Sequence, residues 1–198
     1  MCQAGAALDC RQESLMHRRL LFPVAFAALA AGAALHAALA PVLRQEPPEP
    51  GPQHRVLQQM VGEWDVVIDI GGAASKATQS NKSMPGGMFI LGDITGEAGG
   101  QPFHGHGVWG YDQGQGKYVS LWVDNFESSL QLGAGSYDEK TRTLTLDLES
   151  DGFDGKPATY HHVTRFVDKD RYDFEMSVTS QASGETTPMG GARYTRKQ

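Results

Sequence analysis

Tyr137-Asp138-Glu139-Lys140-Thr141-Arg142-Thr143-Leu144-Thr145-Leu146-Asp147-Leu148-Glu149 decides the fold of this chain. Leu144, Leu146 and Leu148 alternate with Thr143, Thr145, Asp147 and Glu149. That is the period-two pattern of a strand with one face buried. Just upstream, Asp138 follows an aromatic residue and a short polar run leads into the strand. An Asp side chain accepts a hydrogen bond from the backbone two residues on, and so closes a turn. The same cadence recurs at Tyr111-Asp112 to Tyr118 and at Val167-Asp168 to Tyr172. Strands joined this tightly are antiparallel neighbours.

Working outward, the alternation predicts strands over 64–70, 75–83, 88–95, 103–111, 118–124, 129–137, 143–149, 157–167, 172–179 and 187–196. No crossover helix separates them, which points to a meandering all-β protein. A meander of about ten strands has two exposed edges unless it closes, and a closed barrel of that size leaves room for a small ligand. The expected fold is an all-β, antiparallel up-and-down barrel with a short N-terminal helix, an open sandwich being the alternative. The helix is read from Val56, Leu57, Met60 and Val61, which share one face, with Pro52 in the first turn and Gly62 as the stop. A helix this short is marginal alone, so it is expected to pack on the barrel as a plug or lid. Gly105, Gly107 and Gly110 in one strand, and Gly133 and Gly135 in another, fit a wall that bends or is closely approached by other groups.

Upstream, Met16-His17-Arg18-Arg19 is a basic run, and residues 20–40 carry no Asp, Glu, Lys or Arg. The tract ends in Ala38-Leu39-Ala40, the small-x-small form of a secretory cleavage site. Residues 1–40 therefore read as a signal region with the true start at Met16, residues 41–53 as a Pro-rich linker, and residues 54–198 as the barrel domain. The expected location is periplasmic or secreted, with membrane attachment only through an uncleaved N-terminal segment. Pro41 disfavours cleavage and keeps that anchor open. Cys2 and Cys10 both lie upstream of Met16, so the exported part has no disulfide and no Cys metal site. It folds on its hydrophobic core. Beyond residue 40 there are 14 Lys+Arg against 21 Asp+Glu. The basic residues are scattered, so nucleic acid is not expected as a partner.

Seven stretches come in a recognisable order. They are Gly62-Glu63-Trp64-Asp65-Val66, Gly86-Gly87-Met88-Phe89, Pro102-Phe103-x-Gly105, Gly110-Tyr111-Asp112, Lys117-Tyr118-Val119-Ser120-x-Trp122-x-Asp124-Asn125, Gly135-Ser136-Tyr137-Asp138 and Tyr194-Thr195-Arg196-Lys197. Across His54 to Lys197 the chain resembles the bacterial domain-of-unknown-function family 1579. The resemblance implies a calycin-like barrel, similar in plan to lipocalins, and carries no catalytic residues with it. His104 and His106 depart from it, standing where acidic or apolar residues are more usual.

Candidate chemistry is sparse. No nucleophile elbow, phosphate loop or paired-carboxylate motif is present, and an enzyme is not the favoured reading. His104-Gly105-His106 is the sharpest feature, since residues i and i+2 of a strand share a face. With His161 or His162 they would offer nitrogens to zinc or haem iron, and a haem or metal enzyme is one alternative. Two surface histidines opposite Phe103, Gly105 and Gly107 are the plainer account, so no cofactor is assigned. Trp122 and Asp124 share a face opposite Val119, Leu121 and Val123, and either face can be the lumen side. Asp124 is read as an orienting group at a barrel mouth or as a turn-closing residue. Glu175 and Arg193 are read as charges that meet inside a closed barrel, where Arg193 would hold a fatty-acid-like carboxylate, or as solvent-facing ones. Trp64, Trp109, Tyr111, Trp122, Asp124 and Arg193 are the expected lining of a lumen for a small hydrophobic or amphipathic ligand. A structural or interaction module tethered at the membrane is the other alternative.

Overall fold

Ten strands close into one antiparallel barrel in the computed structural model, which describes residues 48–70, 72–152 and 155–198. The signal region, the Met16 start and most of the Pro-rich linker lie outside the described residues. Helix α1 is Pro52–Gln58. The strands are β1 Gly62–Ile70, β2 Ala73–Ser83, β3 Phe89–Ala98, β4 Gln101–Asp112, β5 Lys117–Asp124, β6 Gln131–Asp138, β7 Thr143–Asp151, β8 Pro157–Phe166, β9 Arg171–Ser180 and β10 Thr186–Arg196. Each pairs with the next, and β10 returns to β1 in the register Val66↔Tyr194 and Ile68↔Ala192. Closure pairs both edges of the meander, so the sandwich alternative is excluded.

The three Asp turns all lie at one end of the barrel, between β4 and β5, β6 and β7, and β8 and β9. Asp112 Oδ1 accepts from the amides of Gly114 at 2.8 Å and Gln115 at 3.0 Å. Asp138 Oδ1 accepts from Lys140 at 2.8 Å, and Asp168 Oδ1 from Asp170 at 2.8 Å. In each case the oxygen reaches two residues on, which is the geometry that makes Asp a turn former. The hydrogen bonds from Gln115 hold the Asp112 carboxyl below its usual range.

Helix α1 closes the same end. His54 and Leu57 are buried in the barrel, and Met60 just beyond the helix is buried with them. The Met60 carbonyl accepts from Trp64 Nε1 at 2.8 Å and from Asn81 Nδ2 at 2.9 Å, while the Tyr118 hydroxyl donates to the Gln53 carbonyl at 3.3 Å. His54 Nδ1 accepts from the Gly51 amide at 2.9 Å, so the helix start is held by its own third residue. Two arginines secure the rim. Arg142 donates to Gln59 Oε1 and to the Val167 carbonyl, and Arg196 donates to the carbonyls of Val61, Gln59 and Lys169. The expected plug is what the helix forms.

Inside, the closed half is filled by aromatic side chains. Tyr172 stacks on Tyr194 at 4.2 Å and meets the Trp64 ring edge-on at 4.6 Å. Tyr111, Tyr118, Tyr137 and Phe166 continue the contacts around the wall. Burial, with Tyr111 and Tyr137 beside it, pushes the Tyr118 hydroxyl up to about 12, and burial raises Tyr172 and Tyr194 as well. These phenols stay neutral, as a packed apolar interior requires. Leu144, Leu146 and Leu148 face this core, as their alternation predicted.

Val119, Leu121 and Val123 face outward, because Trp122, Ser120 and Tyr118 take the inner positions of β5. Leu121 lies in an outer row with Leu91, Val108 and Leu132, one residue from each of four adjacent strands.

Candidate functional site: the open half of the lumen

The end opposite α1 is open, and a cavity of about 600 Å³ runs down from it into the barrel. Its floor is Met60, Tyr172 and Tyr194, the top of the packed aromatic half. Apolar walls come from Ile68 and Ile70 on β1, Ile94 on β3, Leu146 on β7 and Met176 on β9. Its mouth is aromatic: Phe103 stacks near Trp122 at 6.5 Å and meets Phe126 at 5.2 Å, and Trp109 lies 6.4 Å from Trp122. Volume and lining are those of a small-molecule pocket, concave and mostly apolar with a few polar groups.

Glycines make room for these indoles. A side chain at Gly107 would collide with the Trp109 ring, and one at Gly105 would meet Trp122 Cζ2 at 2.5 Å. A side chain at Gly92 would strike Asn81, Trp109 and Gln79. The β4 glycines are therefore the bed on which the rings lie.

Asp124 sits at the mouth and has two structural roles at once. Its Oδ2 accepts from the Trp122 indole at 2.8 Å, and its Oδ1 accepts from the amides of Phe126 at 2.8 Å and Glu127 at 3.2 Å. Asp124 closes the turn, as one of its two readings had it, and stands at the mouth because residue 124 ends the strand on the inner face. Next to it, Glu127 Oε2 accepts from Ser129 Oγ at 3.1 Å and Gln131 Nε2 at 2.9 Å. Asp151, the last residue of β7, is among the residues lining the cavity, and its carbonyl accepts from the Tyr160 hydroxyl at 3.1 Å. Burial first, then the charges of Glu127 and Asp151, raise the Tyr160 hydroxyl.

A model of the family described as Protein of unknown function (DUF1579) matches residues 49–196. The chain belongs to this family. No curated protein matches it. Among solved structures it is similar to an S-type phycobiliprotein lyase from Guillardia theta, at 10% identity and a TM-score of 0.48, over 74% of this chain and 93% of that one. Several stretches that carry the DUF1579 resemblance now have physical reasons. Gly62 adopts φ +135°, and the space a side chain would take there holds the Arg196 guanidinium, itself 4.2 Å over the Trp64 ring. Asn125 ties the start of β4 to the end of β5, accepting from the His104 amide at 2.8 Å and donating to the Pro102 carbonyl at 3.0 Å.

Of the residues expected to line a lumen, Trp109, Trp122 and Asp124 line this cavity. Trp64 and Tyr111 point inward too, but lie in the filled half, Trp64 against Tyr172 and Tyr111 against His54 and Tyr118. Arg193 is a correction. It pairs across from Val67 and Asp173, opposite in parity to buried Tyr194, so it projects outside and lies 3.6 Å from the Asp173 carboxylate. Glu175 is outward for the same reason, opposite Val163 and Gly191. Neither meets a ligand in the lumen.

The histidines do not converge. His104 and His106 are exposed on the outer face of β4, where His104 meets Thr95 and His106 pairs with Asp93. His161 is also outward, bonded to Asp147 at 2.7 Å and Thr179 at 2.8 Å. His162 alone of that set faces the cavity, beside Phe174 at 5.1 Å. Strand parity separates them, and among the described residues no group of three His, Cys, Asp or Glu could hold a metal ion. Burial, and secondarily His161, lowers His162 to about 4.

The sequence reading missed Gln79 and Gln131, and named His162 only as a possible metal or haem ligand. Each is a polar residue at an inward position of its strand, a signal that exists only once the inner face of each strand is known. Gln79 is 3% exposed; its Nε2 donates to Asn81 Oδ1 at 2.7 Å, and its Oε1 has no partner. His162 Nε2 is also buried without one.

Proposed function

We propose that this is an exported protein whose barrel binds a small apolar or amphipathic molecule in the open half of its lumen. The observation that carries the reading is the cavity itself: one end of the barrel is plugged and packed, the other is left open over apolar and aromatic walls. Buried polar atoms without partners are rare in folded proteins, and Gln79 Oε1 and His162 Nε2 both lie in residues that line this space. A bound molecule supplies what they lack. His162 is the one imidazole lining the cavity among the described residues, and no hydroxyl or carboxylate is bonded to it, which favours binding over catalysis. Export is supported by the basic run at Met16–Arg19, the uncharged tract that follows it, and the confinement of both cysteines to residues 1–10.

The binding test uses N-phenyl-1-naphthylamine, an uncharged dye whose emission rises in apolar surroundings. The folded domain is expected to bind it at one site, and Ala192→Trp, which fills the lumen, to abolish binding while the protein stays folded. Equal dye binding by the filled variant would place the dye elsewhere and overturn the reading. Export is tested separately, by fusing residues 1–53 to an alkaline phosphatase that is active only after translocation.

A further inference from the structure

The mouth of the lumen has a definite electrostatic sign. Asp124, Glu127 and Asp151 line it, and among the described residues that line the cavity there is no lysine or arginine. Asp124 is fully engaged by the Trp122 indole and two amides. Glu127 commits only Oε2, to Ser129 and Gln131, so its second oxygen keeps acceptor capacity. Around these carboxylates stand Phe103, Trp109, Trp122 and Phe126, whose ring faces attract cations. Deeper down, the Gln79 Oε1 is an acceptor with no donor, in a side chain that is almost wholly buried. A buried acceptor in that state is destabilising until a donor arrives.

The uncommitted Glu127 oxygen and the ring faces beside it favour a cation. A carboxylate-headed lipid would set its charge against Glu127 and Asp151, with no lysine or arginine among the described residues lining the cavity to offset them. We propose that the ligand class is a lipophilic amine, its apolar body against Ile68, Ile94 and Met176 and its protonated nitrogen at the Glu127–Asp151 mouth. This rests on the lumen reading above and adds the head-group chemistry.

Three probes of equal chain length isolate the head group: dodecylamine, dodecanol and dodecanoate, each titrated against the bound naphthylamine dye below its aggregation concentration. Dodecylamine is expected to displace the dye at least tenfold more effectively than dodecanoate, with dodecanol between them. Glu127→Gln combined with Asp151→Asn removes the charge with little change of shape. That variant is expected to bring dodecylamine close to dodecanol and leave dodecanol unchanged. Gln79→Leu is the control at depth, where all three probes present only alkyl chain, and is expected to leave the amine-to-carboxylate ratio unchanged. Equal displacement by dodecanoate and dodecylamine, or an amine preference that survives the double variant, would overturn the head-group inference while leaving lumen binding intact. A dye that fails to bind the unmodified protein would overturn the lumen reading itself.

Discussion

The Trp122 indole donates to the Asp124 carboxylate at 2.8 Å, and the other oxygen of that carboxylate holds the turn that follows. One side chain therefore fixes both the ring at the mouth and the loop that carries Phe126 and Glu127. Asp124→Ala removes three acceptor contacts to a charged group and is expected to cost about 2–3 kcal/mol in urea unfolding. Asp124→Asn keeps an oxygen for the turn but has no second oxygen for the indole, and should lie between the two. The Trp122 emission should shift red in both. An Asp124→Ala protein as stable as the original would remove Asp124 from this dual role.

His162 makes stability depend on pH. Its imidazole has a folded value of about 4 against an ordinary 6.5, chiefly because it is buried. Between those values the unfolded chain holds a proton that the folded chain does not, so acid favours unfolding. The His162 contribution is fully retained above pH 6.5 and is lost as pH falls toward 4. By linkage the loss is roughly 3 kcal/mol. His162→Leu keeps the packing against Phe174 without the titration. The difference in stability between the two proteins should therefore grow from pH 7 to pH 4.5, with the variant increasingly favoured. A constant difference across that range, read from urea midpoints, would mean that His162 titrates normally.

Legibility in the sequence followed strand parity. The Leu144-Leu146-Leu148 alternation and the three Asp turns are local signals, and they led to ten strands and the antiparallel order. Strand ends moved by a few residues at β3, where the expected 88–95 became Phe89–Ala98, because pairing with β4 extends the ladder beyond the apolar core. The inner face of β5 was not legible. Tyr118, Ser120 and Trp122 on one side and Val119, Leu121 and Val123 on the other are both apolar enough to be inside. Only pairing with β4, which puts Trp109 beside Ser120 and Gly107 beside Trp122, decides it. The placement of Arg193 failed in the same way: its parity to Tyr194 was readable, but which of the two was inward was not. The site needed a property no single strand carries, namely that the helix and the rings packed beneath it fill one end of the barrel while the other is left open.

Gly105 and Gly107 can be tested by adding a single carbon. At Gly105 a Cβ would lie 2.5 Å from Trp122 Cζ2 and 2.8 Å from Cη2, within a rigid ring that Asp124 also holds. Gly105→Ala and Gly107→Ala are each expected to cost about 1–3 kcal/mol by overpacking. Each should also change the near-ultraviolet dichroism of the indoles, since the rings must tilt into the cavity. Gly99, where nothing lies within 4 Å, is the control site on the adjoining turn, but its φ of +57° favours glycine. Gln101, exposed at the start of β4, is the better control, and Gln101→Ala should change neither measurement. Unaltered dichroism in both glycine variants would refute the ring-bed account.

Arg196 joins the last strand to the plug, and its loss should open the closed end. The guanidinium donates at 2.7 Å to the Val61 carbonyl, 3.3 Å to Gln59 and 3.0 Å to Lys169, and lies 4.2 Å over the Trp64 ring. No other side chain has that planar fork of donors. Arg196→Met keeps the length and apolar stem but leaves the Val61 and Gln59 carbonyls without their partner. The expected cost is about 2–4 kcal/mol, from two unsatisfied acceptors and the lost cation–ring contact. Arg196→Lys keeps the charge and should recover less than half of it, because one ammonium cannot span three carbonyls. Amide exchange tells where the damage falls: protection should drop across Pro52–Gln58 and the start of β1, while β6 and β7 on the far wall keep theirs. A uniform drop across all ten strands would show Arg196 to be a general stabiliser with no special part in holding the plug.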